Sequence, residues 1–166
     1  MKKKSTNGIT LFIVVAIAFG LGGCQSPERE WVLPDPAHVT EWFGESTEVS
    51  FSGNVLEIRG TLSEDFLRRG GRIWERSGPY FYLFNVHVQA LLQEYPDIAA
   101  VRAITFSSDG EELARATLHR SELSEVQWRE ALGRASLAQS QGTASPRRIE
   151  ELIRYGEDRT EFQYAR

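Results

Sequence analysis

The 166-residue sequence predicts an α+β fold: one mostly antiparallel sheet with helices packed on one face, in the order β-β-α-β-β-α-α-β. Three observations predict it. Leu56, Ile58, Gly60 and Leu62 alternate with Glu57, Arg59 and Thr61, the period-two pattern of a strand with one buried face. Glycine-bearing turns, Ser52-Gly53-Asn54 and Ser107-Ser108-Asp109-Gly110-Glu111, each sit between two such segments. Apolar residues at helical spacing fill much of the chain between and after these pairs.

Each element has a local reason. Asp35-Pro36 opens a short helix, the carboxylate capping it and the proline fitting its first turn; Val39, Trp42 and Phe43 form its apolar face and Gly44 ends it. Glu48 to Phe51 and Val55 to Leu62 read as a hairpin. Ser63 to Phe66 starts a brief helix, which Arg68-Arg69-Gly70-Gly71-Arg72 interrupts. Ser77-Gly78-Pro79 reads as a firm break. From Tyr80 to Tyr95, Phe81, Phe84, Val88, Leu91, Leu92 and Tyr95 share one helical stripe; Leu83, Val86 and Ala90 share another. One helix buried on two sides is expected, although residues 84–89 also alternate like a strand. Ala99 to Phe106 and Leu113 to Arg120 form the second strand pair. Ser124-Glu125-Val126-Gln127 is a capping box ahead of Trp128, Ala131, Leu132 and Ala135. Gln139 to Thr143 reads as a polar loop. Ser145-Pro146 restarts a helix with Ile149, Leu152 and Ile153 inward and Gly156 at its end. Thr160, Phe162 and Tyr164 alternate as a last strand.

Composition removes several function classes. With 41% hydrophobic and 25% charged residues, the chain is neither disordered nor a multi-span membrane protein. One cysteine excludes an internal disulfide framework and a multi-cysteine zinc site. A net charge of −4 argues against a protein that coats nucleic acid, and no nucleic-acid partner is expected.

The N-terminus is more specific. Lys2, Lys3 and Lys4 precede an almost wholly apolar run from Ile9 to Leu21, which is too short to span a hydrocarbon core needing roughly 20 residues. A basic cluster, a short apolar segment and then small residues make the layout of a secretory signal peptide. Leu21-Gly22-Gly23-Cys24 resembles the lipobox of bacterial lipoproteins: an aliphatic residue, two small ones, then cysteine. The resemblance covers residues 1–24. It implies that the Cys24 thiol receives a diacylglyceryl group, that the chain is cut before Cys24, and that the new amino terminus is open to a further acyl chain. Gln25, rather than aspartate, follows the cysteine, which in the enterobacterial pattern favours the outer membrane, facing the periplasm, if the organism has two membranes.

Each buried methylene contributes about 0.8 kcal/mol, and one chain anchors only marginally, so two or three chains make the attachment effectively permanent. The expected organisation is therefore a signal peptide over 1–23, a lipidated cysteine and short tether over 24–34, and one globular domain over 35–166. All three lysines lie in the leader, so the chain from Cys24 carries 16 Arg against 23 Asp and Glu, a net −7. Such a body is repelled by an anionic leaflet and stands off on its tether. Trp31, Val32 and Leu33 are expected to dock on the domain rather than the membrane interface.

The mature part offers few catalytic signatures. It has no G-x-S-x-G, H-E-x-x-H or phosphate-cradling glycine loop, and no cofactor or metal is implied. His38, His87 and His119 remain; His87 and Glu94 are seven apart, and His119 precedes Ser121 and Glu122. Arg68, Arg69, Arg72 and Arg76, with Trp74 among them, make the densest positive patch after the leader. Arginine forks suit carboxylates and phosphates, so Arg68, Arg69, Arg72, Trp74, Arg76 and His87 are the candidate binding residues. A solvated surface countered by Glu64, Asp65 and Glu75 is the plainer reading of the patch.

The expectation is a lipid-anchored envelope protein that binds or scaffolds another envelope component, an envelope protein or an anionic glycan, rather than an enzyme. The alternatives are a small envelope hydrolase with His87 or His119 as base, and a carrier of a small apolar ligand in a cavity between helix 80–95 and the sheet. The native product should begin at Cys24 and carry acyl mass in intact-mass spectrometry. A product that keeps residues 1–23, or a bare sulfur, overturns the anchor.

Overall fold

Period-two segments become strands and 3.6-period segments become helices in the computed structural model, which describes residues 30–44 and 46–165. The leader and Cys24 lie outside the described residues, as do the side chains of Phe66 and Arg69. The order is α1 (Pro36–Phe43), β1 (Thr47–Ser52), β2 (Val55–Thr61), α2 (Glu64–Gly70), α3 (Arg72–Leu83), α4 (Val86–Glu94), β3 (Ala100–Phe106), β4 (Glu112–His119), α5 (Glu125–Gln141), α6 (Pro146–Glu157) and β5 (Glu161–Tyr164). The expected α+β class holds, with a five-stranded sheet in the order β1-β2-β3-β4-β5. Only β2 and β3 pair in parallel, and α2, α3 and α4 make the crossover that parallel pairing demands.

Register puts Leu56, Ile58 and Gly60 beside Val101, Ala103 and Thr105, and these beside Leu118, Ala116 and Ala114. This face is buried under the helices. The other face bears Glu57, Arg59, Arg102 and Arg115. Glu57 is only 9% exposed, and Arg59 and Arg102 reach its carboxylate at 2.7 and 3.5 Å.

The capping predictions hold. Asp35 accepts from the Ala37 N–H at 3.0 Å, and Ser124 and Gln127 form a reciprocal box at the start of α5. The chain enters the domain at Trp31, whose ring lies against Gly53, and the Val32 N–H donates to Asp97 at 3.0 Å. The Trp31 ring and Leu33 thus contact the domain, as expected, while the Val32 side chain stays exposed.

Four boundaries differ from the sequence reading. Ser77-Gly78-Pro79 does not break the chain but lies inside α3. Proline and glycine cost a helix interior about 3 and 1 kcal/mol, but α3 is buried along nearly its whole surface, so tertiary packing outweighs propensity. Ser77 also satisfies itself locally, donating to the Trp74 carbonyl at 3.1 Å. Tyr80 to Tyr95 is not one helix. Asn85 adopts an extended conformation, and its side chain accepts from the His87 N–H at 2.9 Å, capping a new helix, α4. Finally, α2 continues through Arg68 and Arg69 to Gly70, and α5 absorbs Gln139 to Gln141 from the expected loop.

Close approach to α3 occurs where Cβ atoms are missing. A Cβ on Gly78 would lie 3.0 Å from Thr105, and one on Gly156 of α6 would lie 2.4 Å from the fully buried Tyr80 ring. Alanine is the better helix former, yet Gly156→Ala should destabilise the domain by about 1–3 kcal/mol through overpacking. Urea denaturation of the variant checks this, and a gain in stability would refute it.

Candidate functional site

The arginine patch does not form one surface. Arg68 is exposed on α2 and pairs with Asp65 at 2.6 Å, a geometry worth little in water. The Arg69 side chain is outside the described residues. Arg72 and Arg76 face α6, where Arg76 pairs with Glu157. Trp74 turns inward, 6% exposed, and stacks on Phe81 with centroids 5.9 Å apart. A helix divides these residues because they follow one another at 100° per residue.

His87 does not join them. Its ring stacks on Trp42 (5.3 Å, 21°) and meets Phe43 edge-on at 6.4 Å. His38 packs edge-on against the same Trp42 at 5.1 Å. His119 pairs with Glu161 at 3.0 Å, both side chains more than half exposed. Among the described residues no group of three or more His, Cys, Asp or Glu could hold a metal ion, and no helix is long and apolar enough to cross a membrane.

What the fold does assemble is an aromatic cleft of about 340 Å³. Trp42 and Phe43 reach it from α1. Thr61, Leu62 and Ser63 reach it from the end of β2. Trp74, Gly78, Phe81 and Tyr82 come from α3, Asn85 from the α3–α4 junction and Gln139 from α5. Helical spacing explains the α3 contribution, since 74, 78 and 81 fall on one stripe. Gly60 matters to the wall, because a Cβ there would collide with the Tyr82 ring, and Tyr82 in turn meets Phe43 at 6.3 Å. Gly70 similarly lets the end of α2 close on Trp74.

Among the described residues, none that lines the cleft is charged, although a quarter of the chain is. Five rings supply apolar faces, while the Thr61, Ser63, Asn85 and Gln139 side chains supply neutral polar groups. That is the usual make-up of a small-molecule site: apolar walls with a few orienting groups. Burial pushes the Tyr82 phenol above its ordinary range, opposed by a hydrogen bond with Thr47, so the wall stays neutral well into alkaline conditions.

Sequence reasoning singled out Trp74 and His87, and the first lines the cleft while the second backs its Trp42–Phe43 wall. It missed Trp42, Phe43, Phe81, Tyr82, Asn85 and Gln139 as site residues. One signal was present: the seven-residue spacing of Trp74 and Phe81, visible only if α3 is read through Pro79.

Comparisons with protein-family models, curated proteins and solved structures find no match. The electrostatics make a prediction of their own. Tyr80, Tyr82 and Tyr155 are all raised by burial, so the stability they carry is complete below about pH 10 and is lost as pH climbs beyond it. The urea midpoint should therefore fall between about pH 10 and pH 12, and fall less in Tyr82→Phe; an identical fall in the variant would refute the assignment.

Proposed function

We propose that the chain is a lipid-anchored cell-envelope protein, tethered through acyl chains on Cys24, that works as a binding module and receives an uncharged, apolar part of another envelope component in the aromatic cleft. Where the organism has two membranes, the outer one is the expected site. The observation that carries the reading is a concave, ring-walled cleft with no charged residue among its described lining residues, in a chain of which a quarter is charged.

Position supports the same reading. The chain enters the domain at Trp31, beside the turn that starts β2, whereas the cleft lies at Thr61 to Ser63, where β2 ends. Six residue steps at about 3.3 Å separate these two ends by roughly 20 Å. The cleft and the point where the chain enters the domain thus lie at opposite ends of β2. Neither histidine favours a hydrolase over this reading: His87 sits among rings, and His119 sits on an exposed strand end.

The reading is tested by titrating the purified mature protein with the neutral aromatic dye N-phenyl-1-naphthylamine. Saturable binding is expected. Asn85→Asp keeps the cap of α4, since aspartate caps as well as asparagine, but it places a charge in the cleft lining. It should weaken dye binding about tenfold or more at unchanged folding stability, as should Gln139→Glu. Absence of saturable binding, or equal affinity in both variants, overturns the proposal.

A further inference from the structure

The cleft does not end at Phe81, Asn85 and Gln139. These three side chains also line a second concavity of about 450 Å³, which continues between the α3–α4 junction and α5. Phe84 and Val86 form one wall, and Leu132, Gly133, Ala135 and Ser136 form the other. It too has no charged lining residue among the described residues, and Val86 is left 59% exposed.

Gly133 is the informative residue. It lies in the middle of α5, a 17-residue helix, where glycine is a far poorer helix former than alanine. A Cβ there would meet nothing within 4 Å, so no packing inside the chain requires its absence. The glycine leaves a bare stretch of helix facing the groove, and an occupant can lie flat against it.

The chemistry of the walls selects the occupant. Uncharged walls select an uncharged ligand. An extended peptide would bring an N–H and a C=O at every residue, roughly each 3.3 Å, and these need partners. The groove is walled by helices, whose backbone groups are already bonded within each helix, and it has no strand edge to share. A hydrocarbon chain makes no such demand. We infer that the cleft and the groove form one continuous site for a single long, unbranched acyl chain with an uncharged polar head, the class of a monoacylglycerol. The head lies at the hydroxyl-bearing end, near Thr61 and Ser63, and the tail passes Phe81 and lies over Gly133. This rests on the cleft being a ligand site, and the experiment separates the two claims.

The mature full-length protein in detergent is photolabelled with two monoacylglycerols, one octanoyl and one palmitoyl, each carrying a diazirine at the tail end. Labelled residues are mapped by mass spectrometry. The short probe should label the cleft, at Trp74, Phe81 or Tyr82, and the long probe should label residues 132–136 of α5. Each methylene held in the groove is worth about fourfold in affinity, so Gly133→Leu, which fills the groove, should cut long-probe labelling of α5 by at least about tenfold and leave the short probe unaffected. Leucine is the better helix former, so the variant's Tm should hold or rise by about 2–4 °C, which separates blockage from misfolding. Long-probe label confined to the cleft, or unchanged in Gly133→Leu, overturns the groove while the cleft stands. An uncharged apolar peptide that displaces the long probe as well as unlabelled monopalmitin does overturns the choice of an acyl chain. No competable label from either probe overturns both.

Discussion

Everything else in this domain rests on helix α3 being held between two layers. On one side Gly78 lies against Thr105 of the sheet; on the other, Tyr80 fills the space that Gly156 leaves in α6. Contacts this close are made by removing Cβ atoms, and interiors packed to crystal-like density punish any added volume. Tyr80 then stacks on Phe84 at 5.7 Å and meets Phe162 of β5 at the same distance, while Phe84 meets Tyr155 of α6 edge-on, also at 5.7 Å. Trp74, Gly78, Phe81 and Tyr82 of α3 form the cleft wall.

The second structural decision is the end of α3. The chain leaves helical geometry at Phe84 and resumes it at Val86 with Asn85 as cap. This corner creates the concavities on both sides of Asn85. Downstream, Arg120 pins the far end of α4: its guanidinium donates to the Leu92, Tyr95 and Ile98 carbonyls, three acceptors at or beyond the end of that helix. A cation there also suits the helix dipole. The last strand is latched in a similar way, with the Tyr164 phenol donating to Glu75, a carboxylate only 8% exposed.

Charge is partitioned rather than spread. The uncovered sheet face carries Glu57, Arg59, Arg102, Glu112 and Arg115 in paired contacts. Their effect is to keep that face polar and unattractive to apolar ligands, with the buried Glu57 carboxylate matched by two guanidinium groups. The concavities around Asn85 are the reverse, apolar and neutral. From Cys24 onward the sequence has a net charge of −7, and these neutral concavities stand apart from its charged side chains.

Local chemistry was legible wherever a residue acts on its immediate neighbours. Asp35, Ser124 and Gln127 cap helices through bonds spanning two or three residues, and the strand alternation at 55–62 follows from the pleat alone. The arginine cluster misled for the opposite reason: adjacency along a helix disperses side chains, so Arg68, Trp74 and Arg76 point to different neighbours. Only the tertiary structure decided that α3 runs through Ser77-Gly78-Pro79, and with it where the cleft lies. Burial between two layers supplies more free energy than proline and glycine remove, and that energy comes from Thr105, Leu62 and Gly156, residues that no local window around α3 contains.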